Sequence, residues 1–428
     1  MSRALVVRGG EVLDRGGRRR ADVLVADGVV RAVGPDAAAD APARAQVLDA
    51  VGCVVAPGLV DLHAHLREPG REEAETVESG GRAAALGGYS AVVAMPNTEP
   101  PVDCAAVAQE VLSLGARAPV EVAVAGAITV GRSGERLAPM GELAALGVRL
   151  FTDDGAGLQD GALMRRALDY ARDLGVTLAQ HCEDAALAAG GSMHEGAWSS
   201  RLGLPGVPAA AEEAMVARDL ALARLTGGRL HLLHLSTAGS VELVRRAKAE
   251  GLAVTAEVAP HHLVLTDAAC AGYDPTFKVN PPLRRDEDLA YLRAGLEDGT
   301  IDAIATDHAP HAPETKDLPF DEAPPGMLGL ETALSVALSV LGMELAIACL
   351  SWRPAAICGL APRHGGPVVE GAAANLCVID PTAKWTVDPA RLASRSRNTP
   401  YAGWTFTGRN RHTIVAGEPV VVDAEAQR

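Results

Sequence analysis

Lysine is scarce in this sequence. Of the 39 basic residues only Lys248, Lys278, Lys316 and Lys384 are lysines, so the first 247 positions offer no lysine amine to any site. Positive charge is also in deficit. With 54 acidic against 39 basic residues the net charge is −15, which withholds the footprint that a phosphate backbone requires and argues against nucleic-acid binding. No run of 18 apolar residues occurs, so no segment reads as a membrane span, and Met1 to Arg8 is a short strand-like run without a signal-peptide core. The seven cysteines (Cys53, Cys104, Cys182, Cys270, Cys349, Cys358 and Cys377) are odd in number and never stand as Cys-x-x-Cys. That pattern speaks against a disulfide framework and against a thiolate zinc site. The expectation is a cytoplasmic chain without membrane or nucleic-acid partners. Any anionic ligand must then be held by a local positive site against an unfavourable overall field.

What is present is material for a large core. Apolar residues make up 48% and charged residues 22% of 428 positions, which suits one large α/β domain with an accessory part. From Val54 to about Leu341, short β-branched runs alternate with amphipathic stretches. The strand candidates are Val54–His65, Tyr89–Asn97, Val120–Thr129, Val148–Asp154, Thr177–Glu183, Arg229–Ser236, Ala253–His262 and Ile301–Pro310. Helical stretches between them include Glu72–Leu86, Gly161–Leu174, Ala211–Leu225, Ser240–Gly251 and Asp286–Leu296. Eight strands, each followed by a helix, predict an α/β fold built as a (β/α)8 TIM-type barrel. A doubly wound sheet is disfavoured, because no Gly-x-Gly-x-x-Gly turn follows the first strand. The two ends instead read as short strands broken by glycine-rich turns, and neither is long enough for a core of its own. They are expected to form one small β-sandwich from both termini, with the barrel inserted: 1–53 and 366–428 for the sandwich, 54–365 for the barrel. One irregular stretch, His311 to Gly326, follows the eighth strand, where barrel enzymes keep their lids.

Metal-competent side chains recur at the predicted strand ends, the face on which such barrels build their sites. The first strand ends in Asp61-Leu62-His63-Ala64-His65, and residues two apart on a strand point to the same side, so both imidazoles can chelate one ion. The fourth ends in Asp153-Asp154, the fifth in His181, the sixth in His234 and the eighth in Asp307. Each alone has a plain structural explanation: a core histidine, a helix cap, a turn. Five strands ending in such ligands around one funnel point instead to a metal centre. Four histidines and two carboxylates suffice for two ions, with His63, His65 and Asp307 on one, His181 and His234 on the other, and a fourth-strand carboxylate shared. Spacing alone leaves Asp153 and Asp154 both open as that bridge.

The order and spacing of Asp61-Leu62-His63-Ala64-His65-Leu66-Arg67-Glu68-Pro69-Gly70, Met95-Pro96-Asn97-Thr98, Phe151-Thr152-Asp153-Asp154-Gly155, Gln180-His181-Cys182-Glu183, His231-Leu232-Leu233-His234, Pro260-His261-His262, Lys278-Val279-Asn280-Pro281-Pro282 and Thr306-Asp307-His308-Ala309-Pro310-His311 resemble class I dihydroorotases of the amidohydrolase superfamily. The resemblance runs along essentially the whole chain. It implies reversible closure of N-carbamoyl-L-aspartate to L-dihydroorotate, with loss of water, in pyrimidine synthesis. It further implies two Zn2+ per chain with a bridging hydroxide, on His63, His65, Asp154 and Asp307 for the first ion and on Asp154, His181 and His234 for the second. Asp307 would also shuttle the proton. Arg67, Asn97 and His311 would grip the substrate carboxylate, His65 would also touch the substrate, and Asn280 and the loop around Pro325 and Gly326 would contact the ring. Many relatives carry Phe where this chain has Pro325, a change expected to alter the stiffness of the loop. His261 and His262 are expected to support the site by hydrogen bonds, and His194, His364 and His412 to be structural or surface residues.

Hydantoinases, dihydropyrimidinases and allantoinases share the paired histidines but bridge with a carboxylated lysine, and Val148 to Asp154 contains no lysine. A non-catalytic scaffold of aspartate transcarbamoylase would lose metal ligands, and this chain keeps them all. The partner expected is therefore a small molecule, while a homodimer and association with aspartate transcarbamoylase are left open.

Overall fold

The computed structural model describes residues 4–361 and 363–427, so Met1 to Arg3 of the expected first strand lie outside it. Eight short parallel strands form the centre: β1 (Leu59–Ala64), β2 (Tyr89–Ala94), β3 (Glu121–Val124), β4 (Leu150–Phe151), β5 (Thr177–Gln180), β6 (Arg229–Leu232), β7 (Val254–Val258) and β8 (Ala303–Ile304). They pair in chain order as two arcs, β1 to β3 and β4 to β8. Parallel bridges between Gly126 and Phe151 and between Ala64 and His308 join the arcs at both seams. The strands are buried because helices cover them: α1 (Val77–Gly87), α2 (Ala105–Gly115), α3 (Met140–Ala145), α4 (Gly161–Leu174), α5 (Ala209–Thr226), α6 (Ala238–Ala249), α7 (Asp286–Glu297) and α8 (Ala333–Val340). In α4 the buried residues Leu163, Met164, Ala167, Leu168 and Ala171 fall at helical spacing, and Asp160 caps the first turn by accepting from Ala162 and Leu163 N. No helix among the described residues is long and apolar enough to cross a membrane.

The terminal segments interleave. A seven-stranded sheet takes Glu11–Asp14, Gly17–Arg20 and Val54–Pro57 from the first part and Leu376–Thr386, Thr405–Val415, Glu418–Val422 and Glu425–Ala426 from the last. A four-stranded sheet of Leu5–Arg8, Asp22–Ala26, Val29–Gly34 and Gln46–Asp49 packs on it through Val7, Val23, Val55, Val378 and Ile414. One expectation about extent is corrected here. Val54–His65 is not one strand: Val54–Pro57 pairs antiparallel with Leu376–Ile379 in the terminal sheet, and the chain turns into β1 at Gly58. Gly58 is required there because a Cβ would collide with the Ser90 side chain. The residues 185–208 add a helix, Ala197–Leu202, and a two-stranded pair, Met193–His194 with Gly206–Val207, for which the periodicity carries no signal.

Glu331, just ahead of α8, accepts from Ala393 N at 2.8 Å and ties the barrel to the C-terminal segment. Burial, opposed by that hydrogen bond, pushes its carboxyl up to about 7. A raised acid contributes stability that is present below its ordinary pKa near 4.5 and lost as the pH rises through about 7. Glu331→Gln keeps an acceptor without the charge. It is expected to raise Tm by roughly 1–3 °C at pH 8 and leave it unchanged at pH 4.5, as read by thermal melts at the two pH values.

Candidate metal centre

The strand-end side chains converge at the C-terminal mouth of the barrel. Asp154 stands at the middle. Its Oδ2 lies 3.4 Å from His63 Nε2 and 3.6 Å from His65 Nε2, while its Oδ1 lies 3.6 Å from His181 Nδ1 and 3.5 Å from His234 Nε2. One carboxylate therefore presents one oxygen to each histidine pair. Asp307 Oδ1 closes the first group at 3.3 Å from His65 Nε2 and 3.6 Å from His63 Nε2. The ligand-type atoms of His63, His65 and Asp307 lie within 4.8 Å of one another, as do those of His63, Asp154 and His234. Asp153 points elsewhere: its Oδ1 accepts from Ile128 N (2.8 Å) and Thr129 N (3.1 Å), and its Oδ2 from the Thr129 hydroxyl. The neighbours that spacing could not separate thus face opposite ways, one into the funnel and one into backbone.

This arrangement fits divalent cations. His63 Nε2 is buried, aimed at both carboxylates, and has no hydrogen-bond partner among the described residues. Burial alone would raise the carboxyl of Asp154, yet the imidazoles around it, His63 foremost, hold it well below the usual range. Asp307 is likewise held down against burial, first by the His65 hydrogen bond. Anionic carboxylates enclosed in a barrel need matching positive charge, and a cation supplies it most compactly.

A surrounding layer of hydrogen bonds aims His63 and His65, whereas His234 Nδ1 is buried without a partner among the described residues. His63 Nδ1 donates to Glu257 Oε1 (2.9 Å), which leaves Nε2 for the funnel, and Glu257 Oε2 accepts from His231 Nε2 (3.0 Å). Burial opposes ionisation of Glu257, but His231 and His63 bring its carboxyl down to about 2. His65 Nδ1 donates to Asn97 Oδ1 (2.9 Å), and Asn280 Nδ2 approaches His181 Nε2 at 3.4 Å. Asp61, fully buried, accepts from Thr306 N and Oγ1 and so locks β1 to the end of β8. Glu257 and His231 were missed as supporting residues by sequence reasoning. The available signal is a lone carboxylate in the strand Val254–Val258, whose other residues apart from Thr255 are apolar.

The expected contact residues His65, Arg67, Asn97, Asn280, His311, Pro325 and Gly326 all line one cavity of about 180 Å³ beside Asp154, His181, His234 and Asp307. A larger cavity, about 330 Å³, lies near the opening residues of β3 and β4 around Glu121, Arg149 and Arg363, away from the histidine cluster. Arg67 is buried with its Nε donating to Pro310 O at 3.1 Å, and no described residue accepts from its terminal nitrogens. Burial, reinforced by Arg71, lowers it to about 10, so it stays cationic at neutral pH. His311 Nε2 donates to Pro325 O (2.9 Å), and burial with the nearby Arg67 charge brings the ring down to about 3, leaving it neutral. Arg67, His234 and Asp307 all adopt positive φ (62°, 30° and 46°), strain of the kind that clusters where side-chain direction matters. His262 Nε2 donates to Pro281 O, while His194, His364 and His412 bond to Arg284, Glu121 and Asp49 away from the mouth.

A (β/α)8 barrel whose mouth sets two histidine pairs about one carboxylate defines a metal-dependent hydrolase of the amidohydrolase type, a cyclic amidase. The known proteins similar to this chain narrow the class. The family model described as dihydro-orotase-like matches residues 52–240. Dihydroorotases of Pelotomaculum thermopropionicum (50% identical, 98% of this chain and 99% of the relative) and Anaeromyxobacter dehalogenans (50%, 100% of both) match from end to end. That of Mycobacterium tuberculosis is 48% identical over 99% of each chain. Among solved structures, L-hydantoinase (dihydropyrimidinase) from Arthrobacter aurescens superposes with a TM-score of 0.89 at 27% identity, covering 100% of this chain and 98% of that one. The chain belongs to the dihydroorotase family.

Proposed function

We propose that the chain interconverts N-carbamoyl-L-aspartate and L-dihydroorotate in pyrimidine synthesis, with two zinc ions per chain. The observation that carries this reading is a buried arginine with unclaimed terminal nitrogens, Arg67, in the same small cavity as an aspartate facing both histidine pairs. His63, His65 and Asp307 would hold one ion and His181 and His234 the other, with Asp154 shared. Bound there, the ions supply the positive charge that polarises an amide carbonyl and acidifies water.

The residues do the rest. In ring opening, a C–O bond to the attacking water forms and the ring C–N bond breaks. The Asp307 carboxylate takes the proton from the water and passes it to the departing ring nitrogen. In closure it removes the ureido proton and returns it to the leaving oxygen. Arg67 binds the exocyclic carboxylate through both terminal nitrogens. Asn97 keeps its Nδ2 for the same group, since its Oδ1 already accepts from His65. His311 spends Nε2 on Pro325 O, so it would meet substrate through Nδ1 or after releasing that bond.

A hydantoinase-type specificity is the rival, because the barrel superposes on one. It has no use for Arg67, and the fourth-strand stretch Val148 to Asp154 offers no lysine to bridge with. Assays of L-dihydroorotate against hydantoin, dihydrouracil and allantoin, with metal counted per chain, separate the two: turnover confined to dihydroorotate supports the proposal and preference for a ring without a carboxylate sinks it. Arg67→Lys is expected to raise KM for dihydroorotate roughly 10–100-fold while changing kcat far less, because an ammonium cannot grip both oxygens at once. A parent-like KM would count against carboxylate recognition by this residue.

A further inference from the structure

The stretch 311–326 that walls one side of the cavity is held at both roots by one side chain from far along the chain. Asn398 lies between the sandwich strands 376–386 and 405–415 and is only 6% exposed. Its Nδ2 donates to Ala309 O (2.9 Å) and Gly326 O (3.1 Å), and its Oδ1 accepts from His311 N (3.2 Å). Its own carbonyl accepts from Leu328 N at 3.1 Å, beside a direct bond between the roots from Ala309 N to Met327 O at 2.9 Å. Within this knot sits Pro310, whose carbonyl takes Arg67 Nε–H, and His311, whose ring reaches Pro325 O. Gly326 completes it, with φ at 139° and no room for a Cβ, which would come within 2.8 Å of His311 Nε2.

We infer that Asn398 is a positioning residue for recognition of the substrate's carboxylate: by joining residues 309, 311 and 326 it holds Pro310 O under Arg67 and His311 across the cavity. The inference rests on the carboxylate-binding reading proposed above. Asn398 does not itself line the cavity. The carboxamide suits the task because it offers two donors and an acceptor within one short planar group. Aspartate would set an anion against two carbonyl oxygens, and alanine would take away the partner of two buried carbonyls and of the partly buried His311 N–H. The terminal segment thus does more than cover the barrel, since it reaches over and fixes the binding wall.

The test compares the parent with Asn398→Asp, which keeps the shape, and Asn398→Ala. Both are expected to raise KM for L-dihydroorotate at least tenfold with a smaller fall in kcat. Backbone amides of 309–328 are expected to exchange hydrogen at least tenfold faster, with α4 exchange and metal content unchanged. A purely structural role would instead lower Tm and speed exchange throughout the barrel without a selective KM change, and that outcome overturns the inference. So does parent-like KM with parent-like exchange over 309–328. Where neither variant folds, Asn398→Ser, with one donor and one acceptor, is expected to show an intermediate KM, and a parent KM there is equally fatal. If the parent itself does not turn over dihydroorotate, the functional reading fails, and the exchange over 309–328, which needs no substrate, decides the role of Asn398 alone.

Discussion

Asp307→Asn is expected to lower turnover of L-dihydroorotate by about 10³–10⁵-fold with little change in Tm. The carboxamide has nearly the volume of the carboxylate, and asparagine tolerates a left-handed backbone such as the φ of 46° at this position. What is lost is the base. Asp307 sits 3.3 Å from His65 Nε2 and is held as an anion by the imidazoles around it. An amide in that place can neither take the proton of the attacking water nor return one to the ring nitrogen, and it is a poorer ligand for a cation. Circular dichroism and metal analysis on the same preparation separate the two losses. A variant retaining more than about a tenth of parental turnover would remove Asp307 from the proton path.

The paired substitutions Asp154→Asn and Asp153→Asn carry the second large difference. Among the described residues Asp154 is the one carboxylate facing both histidine pairs, so neutralising it is expected to cut turnover about 10³-fold and to drop the bound metal below two per chain by elemental analysis. The adjacent change removes a charge of the same sign one residue away. Asp153 serves Ile128 N, Thr129 N and the Thr129 hydroxyl, so Asp153→Asn is expected to cost about 1–2 kcal/mol of stability with metal content intact. Equal metal loss in both variants would mean that charge in the region matters and the direction of the side chain does not. Chelation with restoration by zinc should reproduce the Asp154→Asn defect in the parent and relieve it on metal addition.

Much of the centre was readable because its chemistry is local in sequence. His63 and His65 share a strand face by the two-residue period of β structure, and the strand ends gather at one mouth whatever their detailed packing. The barrel was readable for a similar reason, since burial on both faces imposes apolar runs and the covering helices impose their own spacing. Extent was less secure. Pro57-Gly58 is a breaker signal inside Val54–His65, but both flanking runs bury the same apolar residues, so the dipeptide marks a break without saying that Val54–Pro57 belongs to another sheet; pairing with Leu376–Ile379 decides that. The short pair within 185–208 is too brief for any period to register.

The sequence by itself determined the kind of protein: an acidic, lysine-poor chain, a metal-competent barrel, and a family carried by motifs spaced along its length. The tertiary structure alone decided direction and support. It turned Asp154 inward and Asp153 to the backbone, set Glu257 behind His63, and brought Asn398 to the roots of the wall beside Arg67, 331 positions away in sequence (398 − 67). Residue types and periods encode which groups can bind or cap, but the choice between neighbours, and contacts between distant segments, depend on packing that no local pattern contains.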